Sequence, residues 1–377
     1  MKILFLTGSR GEWGYIRPIL QLCKHRGIDY SICTTNMQLL PSNGLGVNEI
    51  LADGFEVEDR IYMSLEGHNH FTMAKSLGVF LASFVDTLAR VKPDWLLLAG
   101  DRGEQLMGAI AASYTYTPVA HIQAGELSGN IDGLARHAIG KFVHLHFAAN
   151  EDARDRLLKL GEEEFRVHMV GAPQLDELRE GRFSSPSDIA ERFNIDPTQP
   201  FMLVVQHSVT EEMAHAQDQI LATIQATHRF QIPKIWVMPN NDAGSEVVRN
   251  TIIKERRSDS QIFANLRRED YLGLMKLARC IVGNSSSGLL EAPSFKVPSV
   301  NLGRRQSMRV CGANVINADF EVEAIVQAIE TAMSDKFRES LELMDNPYGD
   351  GCSSSRIIDI LQKNYRNEKL LIKQLTY

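Results

Sequence analysis

The chain has 377 residues, of which 44% are hydrophobic and 23% charged, with a formal net charge of −7. That length holds two or three ordinary domains and the composition is that of a globular protein. An acidic chain without long single-sign blocks lacks the basic face that a general nucleic-acid binder needs, though a local basic pocket for a phosphate ester remains open.

The chain opens on MKILFLTGSR, too short an apolar run for a signal-peptide core, and no stretch of 18 apolar residues follows. Its five cysteines, Cys23, Cys33, Cys280, Cys311 and Cys352, are scattered without a CxxC pair, which excludes a zinc or redox motif and suits a reducing compartment. A cytoplasmic protein with no membrane partner is expected.

Short apolar runs alternate with amphipathic stretches. KILFLT (2–7), YSICTT (30–35), DWLLLAG (94–100), PVAHIQ (118–123), VHLHFAA (143–149) and VHMVGA (167–172) predict buried strands. YIRPILQLCKH and GEQLMGAIAASY predict helices between them. Residues 175–200 are charged, poor in apolar residues and carry two prolines, which marks a crossing into a second domain with one short helix inside. A second series follows. PFMLVVQ, KIWVMP, QIFAN, CIVGN, PSVNLG and NVINA predict strands, and EMAHAQDQILATIQATH, EVVRNTIIKE, REDYLGLMKLA and VEAIVQAIETAMS predict helices. Strand–helix alternation calls for two doubly wound parallel sheets, an α/β fold whose halves face each other across a cleft. The domains are expected at 1–175, rejoined by a C-terminal helix at 366–377, and at 176–365.

Four segments carry the chemistry at predicted strand ends. TGSRGEWG places Arg10 and Glu12 on a glycine turn. The spacing is not the G-x-G-x-x-G of dinucleotide binders, and an arginine there suits an anionic oxygen. LLLAGDRGE places Asp101 and Arg102 after a strand; Asp101 is either a helix cap or a general acid or base. HIQAGELSGNIDGLARH gathers Gln123, Glu126, Asp132, Arg136 and His137. An i, i+4 Asp132–Arg136 surface pair explains two of these groups but not the rest. VGNSSSGLLEAPSF runs from a strand through Ser285, Ser286 and Ser287 into a helix carrying Glu291, a cradle for a diphosphate with an acceptor for ribose hydroxyls, unless Ser285 is only a cap. No lysine follows as in a Walker A loop. His207 stands directly after a strand in QHSV. Asn241 and Asp242 lie in PNNDAGS, and Arg304, Arg305 and Arg309 lie in GRRQSMR. His25, His68, His70, His144, His146, His168, His215 and His228 have no ligand-type partners in sequence, and no cofactor or metal is expected.

Together these pieces resemble the hydrolysing UDP-N-acetylglucosamine 2-epimerases of sialic acid biosynthesis and their relatives in legionaminic acid pathways. TGSRGEWG, GDRGE, HIQAGELSGNID…RHAI, QHSVT, PNNDAGS, GNSSSGLLEAP, NLGRRQ and NPYGDG occur in family order from residue 7 to residue 351. The resemblance implies the GT-B fold of two Rossmann-like domains, a UDP-sugar substrate and a homodimer or homotetramer. It implies catalytic roles for Asp101, Glu126, Asp132, His207 and the position of Gln123. Substrate contacts are implied for Arg10, Arg102, Arg136, His137, Asn241, Asp242, Ser285, Ser286, Ser287, Glu291 and Arg309. Asp101 and Asp132 are expected to move protons, with Glu126 positioning the sugar. Gln123 departs from the family, whose members often carry Glu there, and Asn36 stands where Gly is common. The expected reaction is UDP-N-acetylglucosamine plus water to N-acetylmannosamine plus UDP. The same chemistry on a UDP- or GDP-linked 2,4-diacetamido-2,4,6-trideoxyhexose is the alternative, ahead of a non-hydrolysing epimerase, a GT-B glycosyltransferase and an inactive sugar-nucleotide sensor.

Overall fold

The computed structural model describes residues 1–66 and 69–376, so His68 lies outside the described residues. The chain divides into two compact units. The first holds Met1–Leu127, Ile131–Arg179 and the chain from Tyr348 onward; the second holds Ser128–Asn130 and Glu180–Pro347.

The first unit is built on seven parallel strands: β1 (Lys2–Thr7), β2 (Asp29–Thr35), β3 (Asp59–Ile61), β4 (Trp95–Ala99), β5 (Val119–Ile122), β6 (Leu145–Ala148) and β7 (Val167–Met169). Their order is β3-β2-β1-β4-β5-β6-β7. A parallel sheet must be covered on both faces, which is why KILFLT is a continuous apolar run rather than an alternating one. Ile3, Phe5, Leu97, Ile122 and Phe147 pack under α1 (Arg10–Arg26) and the last long helix, Ser353–Lys363, through Trp13, Ile16, Leu20, Ile357 and Leu361. The short α2 (Val47–Ala52) adds Ile50 to that face. Leu4, Leu6, Leu96 and Leu98 point the other way. They pack against Phe80, Phe84 and Leu88 of α3 (His70–Val91) and Ala109 and Ala112 of α4 (Gly103–Tyr114). Next along the chain is α5 (Ile131–Phe142).

The second unit repeats the plan with six parallel strands: β8 (Met202–Val205), β9 (Lys234–Val237), β10 (Ser260–Phe263), β11 (Cys280–Gly283), β12 (Ser299–Leu302) and β13 (Val315–Ala318). Their order is β10-β9-β8-β11-β12-β13. Both sheets are therefore wound outward in two directions from a central pair, as the α/β alternation predicts.

Several boundaries differ from the sequence reading. The chain rejoins the first unit at Tyr348 rather than 366, and the helix that does so is Ser353–Lys363; residues 366–376 hold only the 3₁₀ turn Glu368–Leu370. Ile357, Ile358 and Leu361 recur at helical spacing and supply the apolar face that packs against α1, whereas Arg366–Lys369 are nearly all polar. The Asp176 carboxylate caps that helix, accepting from Ser353 and Ser354 N–H at 2.9 and 2.7 Å. The tail beyond it is held by Arg166, fully buried, which donates to the carbonyls of Leu370 and Ile372 at 2.9 and 2.8 Å. Residues 175–200 contain two short helices, Gln174–Arg179 and Pro186–Phe193, instead of one. The helix expected from residue 212 splits into a 3₁₀ turn, Thr210–His215, and a helix, Ala216–Thr227, because Glu212 leaves helical geometry at φ −111°. β3 and α3 lie outside the periodicity reading: β3 has three residues, and α3 is apolar on most of its circumference. By length and apolarity α3 is also long enough to cross a membrane, yet Phe80, Phe84 and Leu88 pack on the sheet and Lys75, Asp86 and Arg90 stand on its exposed side.

Candidate active site

Strand order reverses between β1 and β4 in the first sheet and between β8 and β11 in the second, and ligands of doubly wound folds bind outside the carboxyl ends of strands at such a switch. The candidate residues group at these two places, unit by unit.

In the first unit β1 ends at Thr7, and Ser9 caps α1 in a capping box with Glu12. Ser9 Oγ accepts from Glu12 N–H at 3.3 Å; the Glu12 carboxylate accepts from Ser9 N–H at 3.1 Å and from Gly8 N–H. Arg10 is thereby set, half-buried, as the first helical residue. Glu12 is 2% exposed, and burial, with the nearby charge of Glu104, holds its carboxyl well above the usual carboxylate range. Glu104 is buried as well. Its Oε1 accepts from Asn36 Nδ2 at 3.0 Å and Arg102 Nε at 3.2 Å, and it occupies the space a Cβ on Gly8 would need. Asn36 adopts φ +48°, a left-handed conformation that Gly takes without strain and Asn tolerates, which accounts for the exchange at this position. Glu104 and Asn36 are support residues that the sequence reading did not place in the site; the only sequence signal for Glu104 is its position in GDRGE.

At the β4 and β5 ends, Gly100 turns at φ +83° and presents Asp101, whose side chain is 20% exposed. His121, fully buried, donates from Nε2 to the Gly100 carbonyl at 2.6 Å; burial pulls its pKa down to about 3, so the ring is neutral. Arg136 lies 3% exposed in α5 and joins two loops, donating to the Gln123 carbonyl at 2.7 Å and to the Asp101 carboxylate. Its guanidinium thus orients Asp101 rather than standing open as an anion site. Gln123 takes φ +62°, and with its amide nitrogen turned to Glu126 it donates to both carboxylate oxygens, at 2.8 and 3.3 Å. Glu126 is 3% exposed. Asp132 is half-buried in the first turn of α5, and His137 is half-buried near its middle. Burial, then Arg136, lowers the His137 pKa and keeps that ring neutral at pH 7.

In the second unit the β8 and β11 ends are clamped together by Asn284, fully buried. Its side chain accepts from His207 N–H at 2.7 Å and donates to the His207 carbonyl at 2.9 Å. His207 Nδ1 accepts from Asn240 N–H at 3.0 Å, which puts the neutral ring's proton on Nε2. Gly283 bends at φ +135°, where a side chain would strike the Val205 carbonyl. Past this bend Ser285 and Ser286 are half-buried, and Ser287 Oγ sits 3.0 Å from Ser285 Oγ and 2.5 Å from the Tyr271 hydroxyl. The helix that follows is only Ser287–Leu290, cut short by Pro293, so Glu291 lies just past its end instead of within it. Glu291 is 5% exposed; Oε1 accepts from Arg268 at 2.9 Å, and Oε2 has no protein partner. Asp242 is buried beside Asn240, which donates to its carboxylate, and Asn241 is half-buried. Arg304 pairs with Glu212, and Arg309 donates to Gln306 Oε1 at 3.1 Å, so neither guanidinium stands alone. Ser128–Asn130 count with this unit, Gly129 N–H donating to the Arg305 carbonyl at 3.0 Å. Among the described residues no group of three or more His, Cys, Asp or Glu side chains is placed to hold a metal ion.

Residues 21–362 match the family model described as UDP-N-acetylglucosamine 2-epimerase. Over its whole length the chain is 36% identical to the UDP-N,N′-diacetylbacillosamine 2-epimerase (hydrolyzing) of Legionella pneumophila, covering 99% of that protein. It is 31% identical to the GDP/UDP-N,N′-diacetylbacillosamine 2-epimerase (hydrolyzing) of Campylobacter jejuni, over 99% of this chain and 98% of that one. It is 32% identical to the UDP-N-acetylglucosamine 2-epimerase of Neisseria meningitidis over 88% of each. Among solved structures, the Neisseria meningitidis UDP-GlcNAc 2-epimerase bound to UDP-GlcNAc superposes with a TM-score of 0.81 at 21% identity, covering 97% of this chain and all of the other. At that identity the superposition speaks for the fold, a GT-B arrangement of two Rossmann-like units.

Proposed function

The chain belongs to the UDP-N-acetylglucosamine 2-epimerase family, and we propose that within it the protein hydrolyses UDP-N,N′-diacetylbacillosamine, a 2,4-diacetamido-2,4,6-trideoxyhexose, with inversion at C2. The observation that carries this reading is the 36% identity to the Legionella pneumophila enzyme over the entire chain, against 32% over 88% for the meningococcal UDP-N-acetylglucosamine enzyme. It reverses the order of the two substrates weighed from the sequence. UDP-N-acetylglucosamine becomes the second reading, and sialic acid precursor supply goes with it.

We assign the sugar chemistry to the first unit and the nucleotide to the second. In the first half-reaction the C1–O bond breaks, UDP leaves with the oxygen, and a carboxylate takes the C2 proton, giving a glycal. In the second, water adds its hydroxyl at C1 and a proton returns to C2 from the opposite face. Asp101 suits a proton transfer: it is partly exposed and aimed by a buried arginine. Asp132, half-exposed on the first turn of α5, is its counterpart on the other face of the sugar. Glu126, held by Gln123 and almost fully buried, positions the sugar. His137 and Arg102 line the same unit. In the second unit Arg309 and the N–H groups around Ser285–Ser287 would meet the diphosphate, His207 Nε2–H would protonate or bind the leaving oxygen, and Glu291 Oε2 would accept from ribose hydroxyls. Arg10 would add charge to the diphosphate from the β1 end. Asn241 and Asp242 complete the nucleotide contacts. A homo-oligomer and a cytoplasmic address belong to this reading; buried free thiols at Cys23, Cys33 and Cys280 fit a reducing compartment.

The test is turnover in D₂O on both sugar nucleotides, followed by NMR. Preferred turnover of the diacetamido sugar, with free UDP and one deuterium at C2, is expected. Preference for UDP-N-acetylglucosamine would overturn the substrate, and product without deuterium would overturn the elimination.

A further inference from the structure

One buried charge cluster in the first unit takes no part in the chemistry assigned so far. Lys373 lies in the tail beyond the helix Ser353–Lys363, its side chain 13% exposed. Glu162 Oε2 accepts from Lys373 Nζ at 2.5 Å and from His146 Nε2 at 3.0 Å, and Oε1 accepts from Lys141 Nζ at 2.8 Å. Burial holds the His146 pKa down to about 4, so that ring is neutral. An ammonium is expensive to bury even when it is paired. The tail has other anchors: Arg166 holds the Leu370 and Ile372 carbonyls, and Thr376 N–H donates to the Gly161 carbonyl at 2.9 Å.

The ammonium ends on two backbone carbonyls at the end of α5. The last carbonyls of a helix lack intrahelical partners. In α5 that of Ile139 accepts from Val143 N–H at 3.1 Å, and that of Phe142 accepts from Ser113 Oγ at 2.9 Å. The Gly140 carbonyl has no such amide, because His144 N–H donates to the Val119 carbonyl at 2.8 Å. Lys373 Nζ donates to the Gly140 carbonyl instead, and to the Val143 carbonyl at 2.9 Å. A cation at the carboxyl end of a helix is favoured by the helix dipole as well. Gly140 stands one turn beyond Arg136, the buried residue that aims Asp101. The cap thus fixes the end of the helix from which Arg136 reaches Asp101.

We propose that Lys373 is a positioning residue for the reaction: by capping the carboxyl end of α5 from the tail, it holds Arg136, and through Arg136 the Asp101 carboxylate, where proton transfer needs them. This rests on the role given to Asp101 under the proposed function. The charged and titratable groups facing Lys373 are Lys141 from α5, His144 and His146 at β6, Glu162 and Glu163 ahead of β7, and Arg166 from the turn Glu164–Arg166. Burial outweighs the attraction of Glu162 and lowers the Lys373 pKa to about 8, so the cap is charged at pH 7 and loses its charge toward pH 9.5.

The experiment measures kcat and UDP affinity on the full chain for the unmodified protein, Lys373→Met, Lys373→Met/Glu162→Gln and Lys141→Met. It uses whichever of the two sugar nucleotides the unmodified protein hydrolyses. A wrong substrate then shows in the unmodified protein, a wrong role for Asp101 shows in Asp101→Asn, and a wrong role for Lys373 shows only in its own variants. At pH 7 Lys373→Met should lose about tenfold or more in kcat, since a misplacement of about 1 Å at a reacting group costs about 10². The Kd for UDP, read by calorimetry, should stay within about threefold, because the nucleotide is assigned to the second unit. The double variant leaves no ionised Glu162 behind, so it tests the same loss where the single variant fails to fold. Lys141→Met removes the other ammonium on Glu162 but no cap, and should keep kcat within about threefold. The kcat ratio of the unmodified protein to Lys373→Met cancels every group that titrates in both, and should narrow from pH 7 to pH 9.5. Unchanged kcat in Lys373→Met or the double variant, a parallel loss of UDP affinity, an equal loss in Lys141→Met, or a ratio constant with pH would each overturn the proposal.

Discussion

Replacing Gln123 by Glu tests the arrangement at the heart of the first unit. The change is nearly isosteric, so packing is kept, but an amide that donates to Glu126 becomes a second carboxylate at the same place. The contact distance is 2.8 Å in a site where both side chains are at most 3% exposed. At an effective dielectric of about 20, two unit charges that close repel by roughly 6 kcal/mol. A buried pair does not bear that cost; it retains a proton instead, as carboxylate dyads do. Arg136, which donates to the Gln123 carbonyl next to this contact, offsets part of the repulsion. We therefore expect a net loss of about 3 kcal/mol at pH 8, equal to roughly two pK units of proton retention by the pair. The sign follows from linkage: a carboxyl held above its unfolded range contributes no penalty at low pH and destabilises progressively as pH rises through its folded value. Urea unfolding of both proteins at pH 5 and pH 8 measures the difference. Near parity at pH 5 and a gap at pH 8 are expected. An equal gap at both pH values would refute the Gln123–Glu126 contact.

The other predictions follow from single contacts. Asp101→Asn should cut kcat by about 10²–10⁴ while UDP affinity, read by calorimetry, stays within about threefold; turnover within that same factor would remove Asp101 from proton transfer. Glu291→Ala should raise the Kd for UDP about tenfold or more through the loss of charge-assisted hydrogen bonds, with uridine weakened in parallel if the ribose is the point of contact. Glu162→Gln should destabilise by about 3 kcal/mol or more, since Glu162 holds Lys141 at 2.8 Å and the largely buried Lys373 at 2.5 Å. Removing the carboxylate also removes the ion that favours a charged Lys373, whose pKa burial already lowers to about 8, so this loss should be smaller at pH 9 than at pH 6. Because burial raises the Glu12 carboxyl, its contribution is present at low pH and declines as pH rises through the folded value; Glu12→Gln should therefore gain in melting temperature relative to the unmodified protein between pH 5 and pH 8. A constant difference would mean that Glu12 is ionised throughout.

Most of the fold was legible in the sequence because parallel strands buried on both faces leave continuous apolar runs. All twelve strands read from those runs are present, and among the described residues only the three-residue edge strand β3 lies beyond them. Glycine punctuation did the same for the loops at the strand ends. Gly100 and Gly283 take left-handed conformations that set Asp101 and Ser285–Ser287 where a strand must stop and turn.

Partnership was decided in three dimensions. Arg136 reads as a surface partner of Asp132 or a substrate contact, and becomes a buried tie between Asp101 and the Gln123 carbonyl, because only the tertiary structure brings β4, β5 and α5 to one point. Glu12 and Glu104 lie 92 positions apart in sequence and share one buried space because β1 and β4 are neighbours in the sheet. The last helix rejoins the first unit at Tyr348 for a like reason: amphipathic periodicity in the chain shows that a face must be buried, while the surface it is buried against exists only once α1 has packed on the sheet. Local pattern determines which residues form strands, turns and helices, since those depend on near neighbours. Which charges meet depends on distances the chain acquires by folding, and it is those distances that join Asp101, Gln123, Glu126 and Arg136 in one hydrogen-bonded cluster.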